Sequence, residues 1–167
     1  MADKSLATFH LVYIDDSADD REFIRLAVLE ELPAAQLTAL RDFSEAEAYV
    51  AAVAGLRATP PDLFLVDCHL GGYSGATLVR TIRAVPALVS TPVCIFTSSD
   101  DPGDVALCYA AGADGYLTKP RNFATYRRIV RALRGLTGSV AERCIIRLVP
   151  GYCDRPPDPT DSANPAD

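Results

Sequence analysis

Acidic, hydroxyl and ammonium side chains follow the short apolar segments of this 167-residue chain. The clearest case is Asp67, which directly follows the apolar residues 63–66 and precedes a loop that contains three glycines. An apolar run of this length predicts a strand that is buried on both faces. Counting the residues that end the other apolar segments, the candidate set is Asp15, Asp16, Asp67, Thr97 and Lys119.

The chemistry of this set depends on a cation. Three carboxylates repel one another, and they stay ionised together only when positive charge lies among them. Mg²⁺ suits this role because it prefers oxygen ligands and is commonly held by one or two carboxylates with waters and phosphate oxygens. A carboxylate beside Mg²⁺, with a lysine and a threonine to contact phosphoryl oxygens, predicts a site that forms an aspartyl phosphate.

Lys119 stands out against the composition, because the chain has 14 arginines and only two lysines. The ordinary interpretation is a solvated surface lysine. A compact ammonium on a flexible stem, however, enters a crevice in which a planar guanidinium does not fit in the same way. Its position at the end of an apolar segment therefore favours a role beside the carboxylates. The bond between Lys119 and Pro120 is also a candidate cis peptide.

Alternating strands and helices must bring these residues together. Capping boxes that begin at Ser17 and Ser44, and an N-cap at Asp101, predict helix starts between the apolar runs. The runs themselves predict strands over residues 9–14, 36–40, 63–67, 93–96 and 115–118. Five strand–helix pairs are typical of a parallel sheet with helices on both faces. Such a sheet places its ligand crevice at the carboxyl ends of the strands.

Composition excludes several classes of function. The net charge of -6 and the pI of about 4.9 disfavour a surface for nucleic acid or for an anionic membrane. No apolar run approaches the roughly 20 residues of a membrane span, and the N-terminus lacks a signal-peptide core. Five cysteines without a C-x-x-C pair predict reduced thiols in a cytoplasmic protein. The two histidines lack ligand-like spacing, so a zinc site is not expected.

Residues 8–135 resemble the receiver domain of the two-component response regulators. The resemblance implies an α/β, flavodoxin-like (βα)5 doubly wound sheet of order 2-1-3-4-5. It also implies that Asp67 accepts a phosphoryl group from a sensor histidine kinase, and that the output is binding to other proteins. The implied ligands of Mg²⁺ are Asp15, Asp16, Asp67 and the backbone carbonyl of His69.

The resemblance extends to the residues that couple phosphorylation to a conformational change. Thr97 matches the family's switch hydroxyl, and Tyr116 matches its aromatic switch. Lys119 matches the phosphate-contacting lysine that precedes a cis proline. Gly75, eight residues after the acceptor, also lies on the family pattern.

The chain departs from the receiver family pattern in two places, and two short sequence stretches resemble one group within the family. Leu70-Gly71 replaces the usual Met-Pro after the acceptor, and His69 and Ser99 occupy the two positions that tune dephosphorylation in receivers. The stretches S-A-D-D-R and T-S-S-D-D resemble those of stand-alone regulators that work with bacterial phytochromes. The resemblance therefore implies a sensor kinase of the bacterial phytochrome type as partner.

Other functions fit the residues less well. A haloacid-dehalogenase-like phosphotransferase also uses an aspartate and Mg²⁺, but its nucleophile lies at the first strand and is followed two residues later by a second acid. In this chain the candidate aspartate follows the third strand, and the residue two positions later is His69. A receiver-like interaction module that is never phosphorylated is disfavoured because all five chemical positions are present. A DNA-binding regulator is disfavoured because only 32 residues follow Gly135 and they contain no helix-turn-helix pattern.

The chain beyond Gly135 predicts an arm over residues 136–153 and a disordered tail over 154–167, which is mostly Pro, Asp, Ala, Ser and Thr. The apolar residues 144–149 of the arm fold back on their own domain or reach a second subunit. We favour a homodimer formed by this arm and the last helix. The basic face of that helix is then expected to pair with acids such as Asp101 and Asp104 on the preceding helix of either subunit.

Overall fold

Strands and helices alternate along the computed structural model, which describes residues 8–136 and 151–156. The strands are β1 (His10–Ile14), β2 (Gln36–Leu40), β3 (Leu63–Val66), β4 (His69–Leu70), β5 (Tyr73–Ser74), β6 (Val93–Thr97) and β7 (Gly115–Thr118). The helices are α1 (Ala18–Glu31), α2 (Phe43–Ala54), α3 (Gly75–Arg83), α4 (Pro102–Ala110) and α5 (Phe123–Leu133). Single turns of 3₁₀ helix cover Pro86–Leu88 and Arg134–Leu136.

Five strands form one parallel sheet in the order β2-β1-β3-β6-β7. The short strands β4 and β5 form a separate antiparallel hairpin after β3, where the sequence predicts only a loop. With the hairpin left out of the numbering, the predicted flavodoxin-like order 2-1-3-4-5 is confirmed. Every residue of β1, β3 and β6 is buried, whereas β2 at the edge is half exposed.

Two apolar layers cover the faces of the sheet. Side chains alternate between the faces along each strand. Leu11 and Tyr13 therefore join the layer under α1 and α5. Val12 and Ile14 join the layer under α2, α3 and α4. Burial on both faces explains why these strands are continuous apolar runs rather than alternating ones.

The helix caps correct two expectations. Ser17 caps α1 as predicted, since its hydroxyl accepts a hydrogen bond from the backbone N–H of Asp20. The predicted capping box is not completed, because the backbone N–H of Ser17 donates to Asp15 Oδ1 and not to Asp20. The predicted capping box at Ser44 is wrong, because α2 begins earlier and Ser44 lies inside its first turn. Asp42 is extended at φ -157° and its carboxylate accepts from the backbone N–H of Glu45 at 2.8 Å. An aspartate caps a helix as well as a serine does.

The basic face of α5 binds α1 and not α4. Arg127 and Arg131 donate to the two carboxylate oxygens of Glu31, each at 2.7 Å. Within the chain, Arg127 and Arg131 therefore bind Glu31 rather than the predicted Asp101 and Asp104, while the pairing across subunits stays a prediction. The physical reason is adjacency, because α1 and α5 pack side by side on the same face of the sheet.

Residues 151–156 lie along the open edge of β7. Tyr152 forms an antiparallel bridge with Leu117, and the backbone N–H of Cys153 donates to the carbonyl of Tyr116 at 2.8 Å. These bonds cover edge groups that otherwise pair with another chain. The end of the predicted arm thus packs on its own domain. The apolar residues of the arm and the tail beyond residue 156 lie outside the described residues, so the proposed boundaries stay predictions.

Candidate functional site

The sheet itself positions the candidate residues at one edge. The backbone N–H of Asp15 donates to the carbonyl of Leu40 at 3.1 Å, and that of Asp67 donates to the carbonyl of Ile14 at 2.9 Å. The backbone N–H of Lys119 donates to the carbonyl of Thr97 at 2.7 Å. Asp15, Asp67 and Lys119 are therefore each fixed by a hydrogen bond that continues the ladder of the preceding strand. The convergence expected from parallel strands is present.

Lys119 lies at the centre of the carboxylates. Its Nζ is 2.6 Å from Asp15 Oδ2, 3.1 Å from Asp67 Oδ2 and 2.9 Å from Asp20 Oδ2. The lysine side chain is only 8% exposed. A buried ammonium with three carboxylate neighbours is not a solvated surface lysine. The peptide bond to Pro120 is trans, because no peptide bond among the described residues is cis, and the trans form is the intrinsically preferred one.

The pKa values of this cluster reflect both burial and charge. Burial alone lowers the pKa of Lys119, but the hydrogen bond to Asp15 and the charges of Asp67 and Asp15 outweigh burial and raise it. Burial raises the pKa of Asp15, and the hydrogen bonds from Lys119 and Tyr13 offset only part of that rise. For Asp20 burial also acts upward, but the bonds to Lys119 and its other neighbours outweigh it and lower the pKa. The lysine is thus held firmly in its charged form.

Three carboxylates form a set that fits a hard divalent cation. One oxygen each from Asp15, Asp16 and Asp67 lies within 4.8 Å of the others. Asp15 and Asp67 are buried, whereas Asp16 is exposed at the mouth of the crevice. The backbone N–H of Gly71 donates to Asp16 Oδ2 at 3.0 Å and orients that side chain. Oxygen ligands of this kind suit Mg²⁺ or Mn²⁺.

The loop after Asp67 passes very close to its backbone. The backbone N–H of His69 lies 3.5 Å from Asp67 Oδ1. Gly75 begins α3, and a Cβ at this position would lie 2.3 Å from the carbonyl oxygen of Asp67. Only glycine allows so close an approach. The role of the His69 carbonyl as a metal ligand stays a prediction.

The two predicted switch residues are both buried beside this edge. Thr97 is 1% exposed, and its hydroxyl accepts from the backbone N–H of Ser99 at 3.4 Å. Tyr116 is fully buried, and its hydroxyl donates to the carbonyl oxygen of Ser99 at 3.0 Å. Both side chains therefore contact the same residue of the loop between β6 and α4.

Three residues of the site were not predicted from the sequence. Asp20, expected only as a capping partner, binds Lys119 and accepts from the hydroxyl of Tyr126 at 3.1 Å. Tyr13 donates its hydroxyl to Asp15 Oδ2. Tyr13 precedes Asp15 by two residues, a spacing that places side chains on the same side of a strand. That spacing could have indicated the Tyr13 contact from the sequence. The Tyr126 contact joins helices that are far apart along the chain, so no local sequence pattern indicates it.

A comparison with known families defines the class of protein. The response regulator receiver domain family matches residues 13–131, and the chain belongs to that family. Family membership and the sheet order confirm the predicted receiver fold. The haloacid-dehalogenase-like alternative is not supported. Among the described residues, none of the helices is long and apolar enough to cross a bilayer.

Two curated response regulators are similar to this chain in sequence. The response regulator Rcp1 of Synechocystis is 27% identical over 134 residues, which cover 80% of this chain and 91% of Rcp1. The transcriptional regulatory protein CseB of Streptomyces coelicolor is 32% identical over 133 residues, covering 80% of this chain and 50% of CseB. The chain thus spans about half the length of the CseB relatives that it matches.

Two solved structures resemble the fold closely. The phosphorylated cyanobacterial phytochrome response regulator RcpA has a TM-score of 0.70 and 25% identity, covering 78% of this chain and 94% of RcpA. The Mn²⁺-bound form of Rcp1 has a TM-score of 0.66 and 25% identity, covering 76% of this chain and 92% of Rcp1. The chain is therefore similar to phytochrome-associated response regulators in both sequence and structure.

Proposed function

We propose that this protein is a phosphorylation-activated response regulator in which Asp67 accepts a phosphoryl group from the phosphohistidine of a sensor histidine kinase. The observation that carries the proposal is the buried ammonium of Lys119 among the carboxylates at the sheet edge, with Asp67 at 3.1 Å. A structural ion pair needs one carboxylate for one lysine. A cluster with excess carboxylate beside Lys119 instead suits a site that takes up a cation and a phosphoryl group.

The chain's own groups orient the acceptor. Lys119 donates to Asp67 Oδ2, while Asp67 Oδ1 lies toward the backbone N–H of His69. In the proposed transfer, one carboxylate oxygen attacks phosphorus and forms the new P–O bond. The bond between phosphorus and the imidazole nitrogen of the kinase breaks, and that nitrogen keeps the electron pair. The close packing of Gly75 on the Asp67 carbonyl fixes the backbone from which the attack occurs.

Mg²⁺, when bound, would neutralise the phosphoryl oxygens as they approach the carboxylates. Its proposed ligands are Asp15, Asp16, Asp67 and the backbone carbonyl of His69. The three carboxylate oxygens within 4.8 Å support this assignment. The Mn²⁺-bound form of the relative Rcp1 supports a divalent cation in this family.

Thr97, Lys119 and Tyr116 are the proposed route from phosphorylation to output. Lys119 gives up part of its contact with Asp67 and pairs with the phosphoryl oxygens. The Thr97 hydroxyl, which accepts from the Ser99 backbone N–H at the same edge, donates its proton to a phosphoryl oxygen and draws the loop with it. Because Tyr116 also contacts Ser99, a shift of this loop changes the position of the ring. The altered surface over α4 and β7 is the output.

The proposed partner is a cytoplasmic sensor histidine kinase of the bacterial phytochrome type. The similarity to Rcp1 and to the phytochrome response regulator RcpA supports this class. We further propose a homodimer formed by the arm and α5. Its support is the apolar content of residues 144–149, each of whose large side chains forgoes roughly 1.5–3 kcal/mol if left in water.

Transfer from an autophosphorylated kinase tests the function. Kinases encoded by neighbouring genes are phosphorylated on histidine with radiolabelled phosphate and mixed with the protein. The label on each partner is followed over time, once with Mg²⁺ and once with a chelator. Label is expected to move to the wild type only with Mg²⁺, and to be absent from Asp67→Asn. Asp16→Ala is expected to lose transfer because it loses Mg²⁺ binding. Asp19→Asn, which removes a neighbouring exposed carboxylate, serves as the matched control and is expected to accept label normally. Equal labelling of Asp67→Asn and wild type contradicts the proposal.

A further inference from the structure

A second cluster of metal-binding side chains lies directly behind the acceptor. One ligand atom each from Cys68, His69 and Asp104 lies within 4.8 Å of the others. The Sγ of Cys108 lies 3.8 Å from the Sγ of Cys68. We call these four residues the thiol–imidazole cluster. The proposed phosphotransfer uses none of the four side chains.

Two structural elements supply the cluster in pairs. Cys68 and His69 are consecutive in the loop that follows Asp67. Asp104 and Cys108 are four residues apart on α4, a spacing that places them on one helix face. This arrangement explains why histidine spacing alone gave no sign of a zinc site. The pairs come together only when α4 packs over the loop.

Two of the separations within the cluster are close to those of a tetrahedral centre, while Cys108 lies outside the three ligand atoms that are mutually within 4.8 Å. With Zn–S bonds of about 2.3 Å, the two sulfurs of a tetrahedral zinc site lie roughly 3.8 Å apart. The two cysteine sulfurs lie at 3.8 Å. With bonds of about 2.0–2.1 Å to nitrogen and oxygen, those ligands lie roughly 3.3 Å apart. His69 Nε2 and Asp104 Oδ2 are 3.1 Å apart.

Burial gives the cluster a closed base and an open mouth. Cys68 is 2% exposed and Cys108 is fully buried. The side chain of His69 is 65% exposed and that of Asp104 is 24% exposed. An ion therefore enters past the imidazole and the carboxylate and reaches the sulfurs beneath them. The hydroxyl of Ser99 donates to Asp104 Oδ2 at 2.7 Å, as outer-shell groups commonly do for metal-binding carboxylates.

We propose that the thiol–imidazole cluster binds a transition-metal cation of the zinc class, at a site separate from the Mg²⁺ site. Thiolate and imidazole ligands select such an ion, whereas Mg²⁺ takes oxygen ligands. Binding transfers the thiol protons to solvent. The bound ion joins the first turns of α4 to the loop that carries Asp67. Because Ser99 links Asp104 to the hydroxyl of Tyr116, the ion also restrains the region of the proposed switch.

Titration with Co²⁺ tests the site in the full-length protein. The buffer contains excess Mg²⁺ to occupy the acidic crevice and a phosphine reductant to keep the cysteines reduced. The expected result is a sulfur-to-cobalt charge-transfer absorption that saturates at one equivalent and is removed by Zn²⁺. Cys108→Ser is expected to lose the absorption. His69→Gln, an exposed change that leaves folding intact, is expected to weaken Co²⁺ binding by more than about tenfold.

A matched control removes two of the three thiols that lie outside the cluster and keeps Cys94, which is fully buried in β6. The double variant Cys144→Ser/Cys153→Ser is expected to keep the full absorption, and thermal unfolding of every variant verifies that it is folded. The proposal is overturned if wild type shows no sulfur-to-cobalt absorption, if His69→Gln binds Co²⁺ as tightly as wild type, or if the double variant loses the signal. It is equally overturned if excess Mg²⁺ displaces the cobalt, since the ion then occupies the acidic crevice.

Discussion

Lys119 balances the charge of the candidate site. Its Nζ contacts three carboxylates in a crevice that leaves 8% of the side chain exposed. We expect Lys119→Arg to fold, because charge is retained, but to lose the response to phosphorylation, because the guanidinium cannot occupy the same point. Amide spectra with and without beryllofluoride measure that response.

Lys4→Arg is the control for this substitution, since it makes the same change at the other lysine of the chain. It is expected to show the full set of beryllofluoride-induced shifts. Wild-type shifts in Lys119→Arg contradict the assignment of Lys119 as the phosphoryl contact.

Thr97 and Tyr116 are expected to act in sequence. In Thr97→Ala the acceptor and the carboxylates remain, so phosphorylation by a small donor is expected to persist. The signal from the Tyr116 ring is expected to stay at its unphosphorylated position, because no hydroxyl draws the loop at Ser99 toward the phosphoryl group. Ring resonances recorded with beryllofluoride measure this, and Thr81→Ala on α3 is the control. A full Tyr116 shift in Thr97→Ala contradicts the coupling.

The residues of the site were predictable to different degrees. Asp15, Asp16, Asp67 and Lys119 could be placed from sequence because each follows an apolar strand, and parallel strands end at one edge. Asp20 reaches Lys119 from α1 and accepts a hydrogen bond from Tyr126 of α5, which lies 106 positions further along the chain. No local pattern encodes such a contact, because it depends on how α1 and α5 pack.

At the scale of elements, the junction between β3 and α3 depends on Gly75. A Cβ there would lie 2.3 Å from the carbonyl oxygen of Asp67. We expect Gly75→Ala to lower the free energy of unfolding by about 1–3 kcal/mol, because backbone must move to relieve the overlap. Mg²⁺ affinity is expected to fall with it, since Asp67 moves. Urea unfolding and Mg²⁺ titration measure the two effects.

Gly103→Ala in α4 is the matched control. The nearest atom to its added Cβ is Asp101 Oδ1 at 2.9 Å, the oxygen that caps α4, so relief is confined to one flexible side chain and costs at most the cap, about 1 kcal/mol. A loss in Gly75→Ala no larger than that in Gly103→Ala contradicts the close-approach argument.

The contact between α1 and α5 is expected to weaken in acid. The hydrogen bonds from Arg131 and Arg127 lower the pKa of Glu31. In the unfolded chain the pKa of a glutamate is about 4.3. A carboxyl group whose pKa is lowered by folding stabilises the folded state above that pH, and this stabilisation is lost as the pH falls through the lowered pKa. We expect Glu31→Gln to be less stable than wild type at neutral pH and equally stable in strong acid.

Denaturant unfolding at a series of pH values measures this difference. Glu30→Gln is the control, because it makes the same change at a half-exposed neighbour. Among the described ion pairs Glu30 contacts only Arg127, so the free energy of unfolding is expected to change little. A stability difference for Glu31→Gln that stays constant with pH contradicts the ion-pair assignment.

Prediction of the elements succeeded where burial decided the pattern. The sheet strands and the caps at Ser17 and Asp101 follow from apolar runs and flanking polar residues. The start of α2 was misplaced because Asp42 and Ser44 are both good caps and only the packed helix decides between them. The partners of the α5 arginines likewise depend on which helices lie together, which hydrophobic spacing does not report.

The arm is expected to determine whether the molecule dimerises. Its end lies on the edge of β7, where Tyr152 bridges Leu117 and the carbonyl of Cys153 accepts from the hydroxyl of Tyr109 on α4. We expect full-length protein to be a dimer at tens of micromolar and a chain that ends at Gly138 to be a monomer. Light scattering on both measures this. A monomeric full-length protein refutes the dimer, and a dimeric truncated chain places the interface on the receiver domain instead.

The position of the phosphoryl group in the chain tests most directly whether Asp67 is the acceptor. Protein phosphorylated by the kinase is treated with borohydride, which reduces an aspartyl phosphate to homoserine, and the modified residue is located by peptide sequencing. We expect homoserine at position 67 and at no other carboxylate of the crevice. Homoserine at position 15, 16 or 20, or its absence from a protein that carries label, contradicts the assignment of Asp67 as the acceptor.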